Sequence, residues 1–141
     1  MSAWSHLPNA HHIDWVIKVV KENRQLWNLE VGANSTDLWH TAWESAWTKG
    51  DVRPRKTAFN AASNSIWNAV GWTGIGRSSV RGMILALVAY DDCDQYLSMS
   101  YEKLLVYASL SEKPQAILLL PMVYVREKMG IETVENNTIS I

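Results

Sequence analysis

The chain of 141 residues is long enough for one domain with a sizeable core, since a domain of about 150 residues buries roughly 68–70% of the surface its unfolded chain exposes. Its 13 Lys+Arg stand against 14 Asp+Glu, a formal charge of -1; this excludes the broad positive field of an extended nucleic-acid binder and leaves only local basic patches for a polyanion. One cysteine, Cys93, excludes an intramolecular disulfide, and the apolar runs MILALVAY (83–90) and AILLLPMVYV (116–125) fall well short of the ~20 residues of a membrane span. The opening residues MSAWSHLPNAHH lack a basic segment followed by an apolar one, so no secretory leader is expected and the cytoplasm is the expected compartment.

A first helix is predicted from Ile13 to Val31, with Asn9 where an N-cap would stand. Its apolar positions 13, 16, 17, 20, 27 and 31 form one stripe, and Trp15, Val19 and Leu26 form a second on the opposite side. Two apolar faces predict a helix that is central in the fold or shared with another subunit, and homo-oligomerisation is expected on that ground and from the surplus of tryptophan, 8 in the chain. After a break at VGANSTD, a second helix runs to Gly50 and carries Trp39, Trp43 and Trp47. At about 100° per residue, this spacing drifts only about 40° per step, so the three indoles share one flank with Ala42 and Ala46 beside them. Two readings are open: indoles packed into a core or interface, or an aromatic shelf on which a flat base stacks. His40 sits beside the stripe, four residues before Glu44, as a solvated pair or a proton carrier.

The basic turn GDVRPRK brings Arg53, Arg55 and Lys56 together as solvated side chains or a phosphate contact. A third helix from Pro54 to Val70 puts Ala58, Phe59, Ala62, Ile66, Ala69 and Val70 on one face and Asn60, Asn64 and Asn68 on another. Asparagine is a mediocre helix former, so this ladder implies a gain: an interhelical hydrogen-bond network or the reading of a base edge. GWTGIGRSS (71–79) reads as a loop in which Trp72, Arg77 and Arg81 gather at a helix start, an arrangement able to hold phosphate but without the P-loop lysine.

Ser79 to about Leu97 reads as a helix buried on every side, turning acidic at Asp91, Asp92 and Asp94. Asp91 projects onto an apolar side and needs a partner, either an arginine or a divalent metal shared with Asp94. Adjacent His11 and His12 point to different faces of a helix, which argues against joint ligation. Ser98 or Ser100 caps a short helix over YEKLLVYASL, and Pro114 opens a last helix that Pro121 kinks or shortens before Gly130. The tail IETVENNTISI is an added strand or unstructured. The sum is an all-α bundle of about five or six helices in one domain.

The block ALVAYDDCDQYLSMSYEKLLVYASLSEKPQAILLLPMVYVREK (86–128) resembles the C-terminal part of small accessory proteins encoded by tailed bacteriophages. TAWESAW (41–47) resembles a degenerate form of the Ala-rich units with Trp, Arg and Asp that precede that part in the family. The resemblance covers about two thirds of the chain and is one of pattern; Asn- and Gly-rich segments replace much of the alanine repeat. It implies a viral protein acting in the host bacterial cytoplasm, of the kind that counters host defence by inhibiting a host protein or sequestering a nucleotide signal. Joined to the residues, this gives an expected function: binding of a small phosphorylated, nucleotide-type ligand. Trp39, His40, Trp43, Trp47 and Trp72 supply the aromatic site, Asn60 and Asn64 read polar edges, and Arg77 and Arg81 hold phosphate. No catalytic group and no cofactor are assigned. The alternatives are a protein–protein inhibitor anchored by tryptophans and, third, a metal-dependent hydrolase using Asp91 and Asp94.

Overall fold

The computed structural model describes residues 3–22, 36–50, 52–70, 77–111, 113–128 and 130. Among them run eight α-helices and no strand: α1 (Ala10–Glu22), α2 (Thr36–Lys49), α3 (Lys56–Val70), α4 (Arg77–Ala89), α5 (Cys93–Leu97), α6 (Tyr101–Ser111), α7 (Pro114–Leu118) and α8 (Leu120–Lys128), with one 3-10 turn, Arg53–Arg55, leading into α3. The all-α expectation holds, with more and shorter helices than the sequence suggested. No helix among the described residues is long and apolar enough to cross a membrane.

α4 is the centre. It packs against α1, α2, α3, α7 and α8, and every residue from Met83 to Ala89 is buried, as its unbroken apolar run requires; each such Leu or Ile contributes about 1.5–3 kcal/mol on burial. α1 lies on α3 and α4. Both of its apolar faces, Ile13, Val16, Ile17 and Val20 on one side and Trp15 and Val19 on the other, are buried within the chain itself. That burial removes the need for a second subunit as the explanation for its two faces. The exposed residues His11, Asp14, Lys18, Lys21 and Glu22 form the remaining polar strip. The predicted extension of this helix to Val31 lies outside the described residues.

The sequence expected one helix from Ser79 to about Leu97, but α4 starts earlier, at Arg77, and stops at Ala89 before α5 begins at Cys93. The stop is built by side chains that take the carbonyls a helix end leaves open. Asn9 Nδ2 donates to Leu87 O at 2.9 Å and Tyr90 O at 2.6 Å, Arg55 Nη1 to Val88 O at 3.0 Å, and the Cys93 thiol to Ala86 O at 3.4 Å and Tyr90 O at 3.3 Å. Continuing the helix would place Asp91 and Asp92 at the negative end of its dipole in the core; the break puts both carboxylates at the surface.

Similar local causes set the later elements. Ser100 Oγ accepts the Lys103 N–H at 3.2 Å and Glu127 Oε2 accepts the Tyr101 N–H at 2.7 Å, so Ser100 is the cap of α6 and α8 supplies a second acceptor. The single last helix that was expected is broken at Leu119. Pro121, which has no N–H, sits at the second position of α8, where none is required. Arg126 reaches back to the carbonyls of Leu97 and Met99, closing the α5–α6 corner onto α8. Gly130 follows with φ +70, a left-handed conformation suited to glycine after a helix. The tail from 131 lies outside the described residues.

Candidate tryptophan-flank site

Four residues of α-helix rise about 6 Å, so side chains repeated at that spacing can stand as a ladder of parallel plates. On α2 they do. Trp39 and Trp43 have ring centroids 5.4 Å apart and planes inclined by 18°, and Trp43 and Trp47 are 5.9 Å apart at 9°. All three are half-buried, while Ala42 and Ala46 are buried. The stack leans on α3 through Phe59, whose ring meets Trp43 at 6.3 Å and Trp47 at 5.5 Å, edge to face. The stripe is therefore part core and part surface, between the two readings the sequence left open.

Two cations stand over the rings of this stack. The Arg81 guanidinium lies 5.2 Å from the Trp43 ring and 5.9 Å from Phe59. Lys56 Nζ is 5.9 Å from the Trp47 ring, within cation–π range. At this end of the ladder, Trp47, Val52, Arg53 and Lys56 line a shallow pocket of about 290 Å³. Arg53 and Lys56 are exposed. Arg55 is engaged elsewhere: it binds Asp91 at 2.6 Å and 3.3 Å as well as Val88 O. The basic turn thus divides into one structural arginine and two cations beside an indole.

The expected site residues separate accordingly. Trp39, Trp43, Trp47 and Arg81 come together. His40 is exposed with its ring against the edge of Trp39, centroids 5.3 Å apart; Glu44 is also exposed. Asn60, Asn64 and Asn68 are exposed, and among the described residues none enters an interhelical network. Asn60 and Asn64 follow Lys56 at spacing four, so they continue its flank of α3. Trp72 lies outside the described residues, as does the side chain of Arg77. Sequence reading treated Phe59 only as core and missed Val52, because both acquire their position against the indoles through the 3-10 turn Arg53–Arg55.

Asp91 finds an arginine partner, the simpler of its two expected answers. Asp91 and Asp94 turn to different partners: Asp94 Oδ1 lies 2.5 Å from His12 Nε2 while Asp91 holds Arg55. His11 and His12, expected to diverge, have ring centroids 4.0 Å apart. Cys93 is buried, and burial first, then the neighbouring carboxylates of Asp92, Asp94 and Asp91, push its thiol far above the ordinary range. That environment favours the neutral thiol over the thiolate. Compared with family models, with curated proteins and with solved structures, the chain matches none, so the reading of this site rests on its own residues.

Proposed function

We propose that the tryptophan flank of α2 binds a small phosphorylated ligand with a flat base, and that the protein acts by sequestering it. The observation that carries this is the pocket of about 290 Å³ in which the Trp47 ring is flanked by the cations Arg53 and Lys56. A base stacked on an indole contributes about 1–3 kcal/mol, and the two cations fit phosphate oxygens. Asn60 and Asn64 offer amides along the same flank. This shifts the phosphate contacts from Arg77 and Arg81 to Arg53 and Lys56. The counter-defence setting in a phage-infected bacterial cytoplasm rests on the resemblance of residues 41–47 and 86–128 to phage accessory proteins.

The test is calorimetric titration of the chain with cyclic and linear nucleotides, with and without Mg²⁺. Saturable binding that Arg53→Ala with Lys56→Ala weakens at least tenfold, with helical content unchanged, is the expected result; no heat from any nucleotide would sink the reading.

A second reading, association with protein, has an observation of its own. On α6, Val106 and Leu110 are 57% and 80% exposed and line an apolar groove with Lys103 and Tyr107. Such a surface suits a second copy of the chain better than the half-buried indoles do. A solution mass near 16.0 kDa by light scattering would count against it.

A further inference from the structure

We propose that His11, His12 and Asp94 bind one divalent transition-metal ion, zinc before others, which clamps the start of α1 to α5. His12 is 6% exposed and so fixed by its surroundings. Its Nε2 lies 2.5 Å from Asp94 Oδ1, and the His11 ring stands 4.0 Å from its own. One donor atom from each of the three lies within 4.8 Å of the others. Adjacent helical residues ordinarily point about 100° apart, but His11, in the first turn of α1, has its ring beside that of His12.

Zinc holds nitrogen and oxygen donors at about 2.0–2.2 Å, which puts tetrahedral donors about 3.4 Å from one another. The widest pair, within 4.8 Å, must therefore close by up to about 1.4 Å, and the His12–Asp94 pair, at 2.5 Å, must open by about 0.9 Å. His11 and Asp94 are both exposed, so the adjustment falls to them rather than to the buried His12. Two imidazoles and one carboxylate, with a position left for water, match the three-ligand zinc sites; nitrogen donors disfavour Mg²⁺ and Ca²⁺.

The other carboxylates of this corner have different donors. Asp91 takes Arg55, and Asp92 accepts from Gln115 Nε2 at 3.1 Å and Gln95 Nε2 at 3.0 Å. Asp94 is the one turned to the histidines. The ion would replace its contact to His12 and tie α5 to α1 at the corner where Asn9 already holds the end of α4.

The test is titration of the tag-free chain with Zn²⁺. One ion per chain is expected, with a melting temperature raised by roughly 5–10 °C at a hundredfold excess of free ion over its dissociation constant. His11→Ala and Asp94→Asn, both at exposed positions, should each weaken binding at least tenfold while circular dichroism stays unchanged. The Co²⁺-loaded chain should show visible d–d absorption that His11→Ala removes. Absence of zinc binding, either variant binding zinc as tightly as the parent, or Mg²⁺ bound as tightly as Zn²⁺ would each overturn the proposal.

Discussion

Asn9 shows how one side chain can join distant parts of the chain. It is 2% exposed, and its amide donates to two carbonyls at the end of α4, 78 and 81 residues away. Replacing it with alanine leaves buried acceptors with fewer donors, a loss of about 1–3 kcal/mol. Asn9→Ala should therefore lower the urea midpoint at unchanged slope. Asn9→Asp should lower it further, because a carboxylate would face carbonyls at the negative end of the α4 dipole. An alanine variant as stable as the parent would show that these bonds contribute nothing. From sequence, Asn9 reads as an N-cap, and its backbone does accept the Ile13 N–H at 3.0 Å. What its side chain does was not legible, because the acceptors belong to a helix whose end position depends on Arg55 and Cys93 as well.

Among the elements, α2 shows most directly what periodicity reveals and where it stops. The ladder of Trp39, Trp43 and Trp47 follows from spacing alone. How far the indoles are covered depends on how α2 meets α4 and α7, and the approach to α4 is close at glycine. A Cβ built on Gly50 would lie 2.6 Å from Ala46 O and 2.8 Å from the Ala89 Cβ, too near for either to remain in place. Gly50→Ala should cost about 1–3 kcal/mol in denaturant unfolding, and because it pushes the end of α2 from the end of α4, it should also change tryptophan fluorescence in the folded state. Unchanged stability would mean that the two helix ends part without penalty. Composition marked Gly50 as a terminus, but the reason for glycine is space rather than a left-handed backbone, and local sequence carries no record of that neighbour. Helix breaks were similarly half legible: Pro121 announced one, whereas the stop after Ala89 needed capping groups from three separate segments.

At the scale of the whole molecule, the buried central helix α4 makes its acidic exit a centre of pH sensitivity. Cys93 and Tyr96, 0% and 3% exposed, follow it beside Asp91, Asp92 and Asp94. Burial, then Asp92, raises the Tyr96 phenol from its ordinary 10.0 to about 12; the same two causes act on Cys93 from 9.0, and burial raises Tyr90 as well. All three are acids whose neutral form the fold keeps. Above about pH 9, the unfolded chain loses protons that the folded chain retains, so the unfolded state is favoured as pH rises. Their contribution is fully present below the unfolded values and is lost through the alkaline range up to the folded ones. Urea midpoints should thus hold steady near neutrality and fall from about pH 9 towards 12, each group adding up to about 1.4 kcal/mol per pH unit while it titrates only in the unfolded state. Relative to each variant's own value near neutrality, Cys93→Ala should flatten the onset of that fall, and Tyr96→Phe its upper part. A parent midpoint that stays level across this range would contradict the burial of Cys93 and Tyr96 and, with it, the placement of α5 against the core.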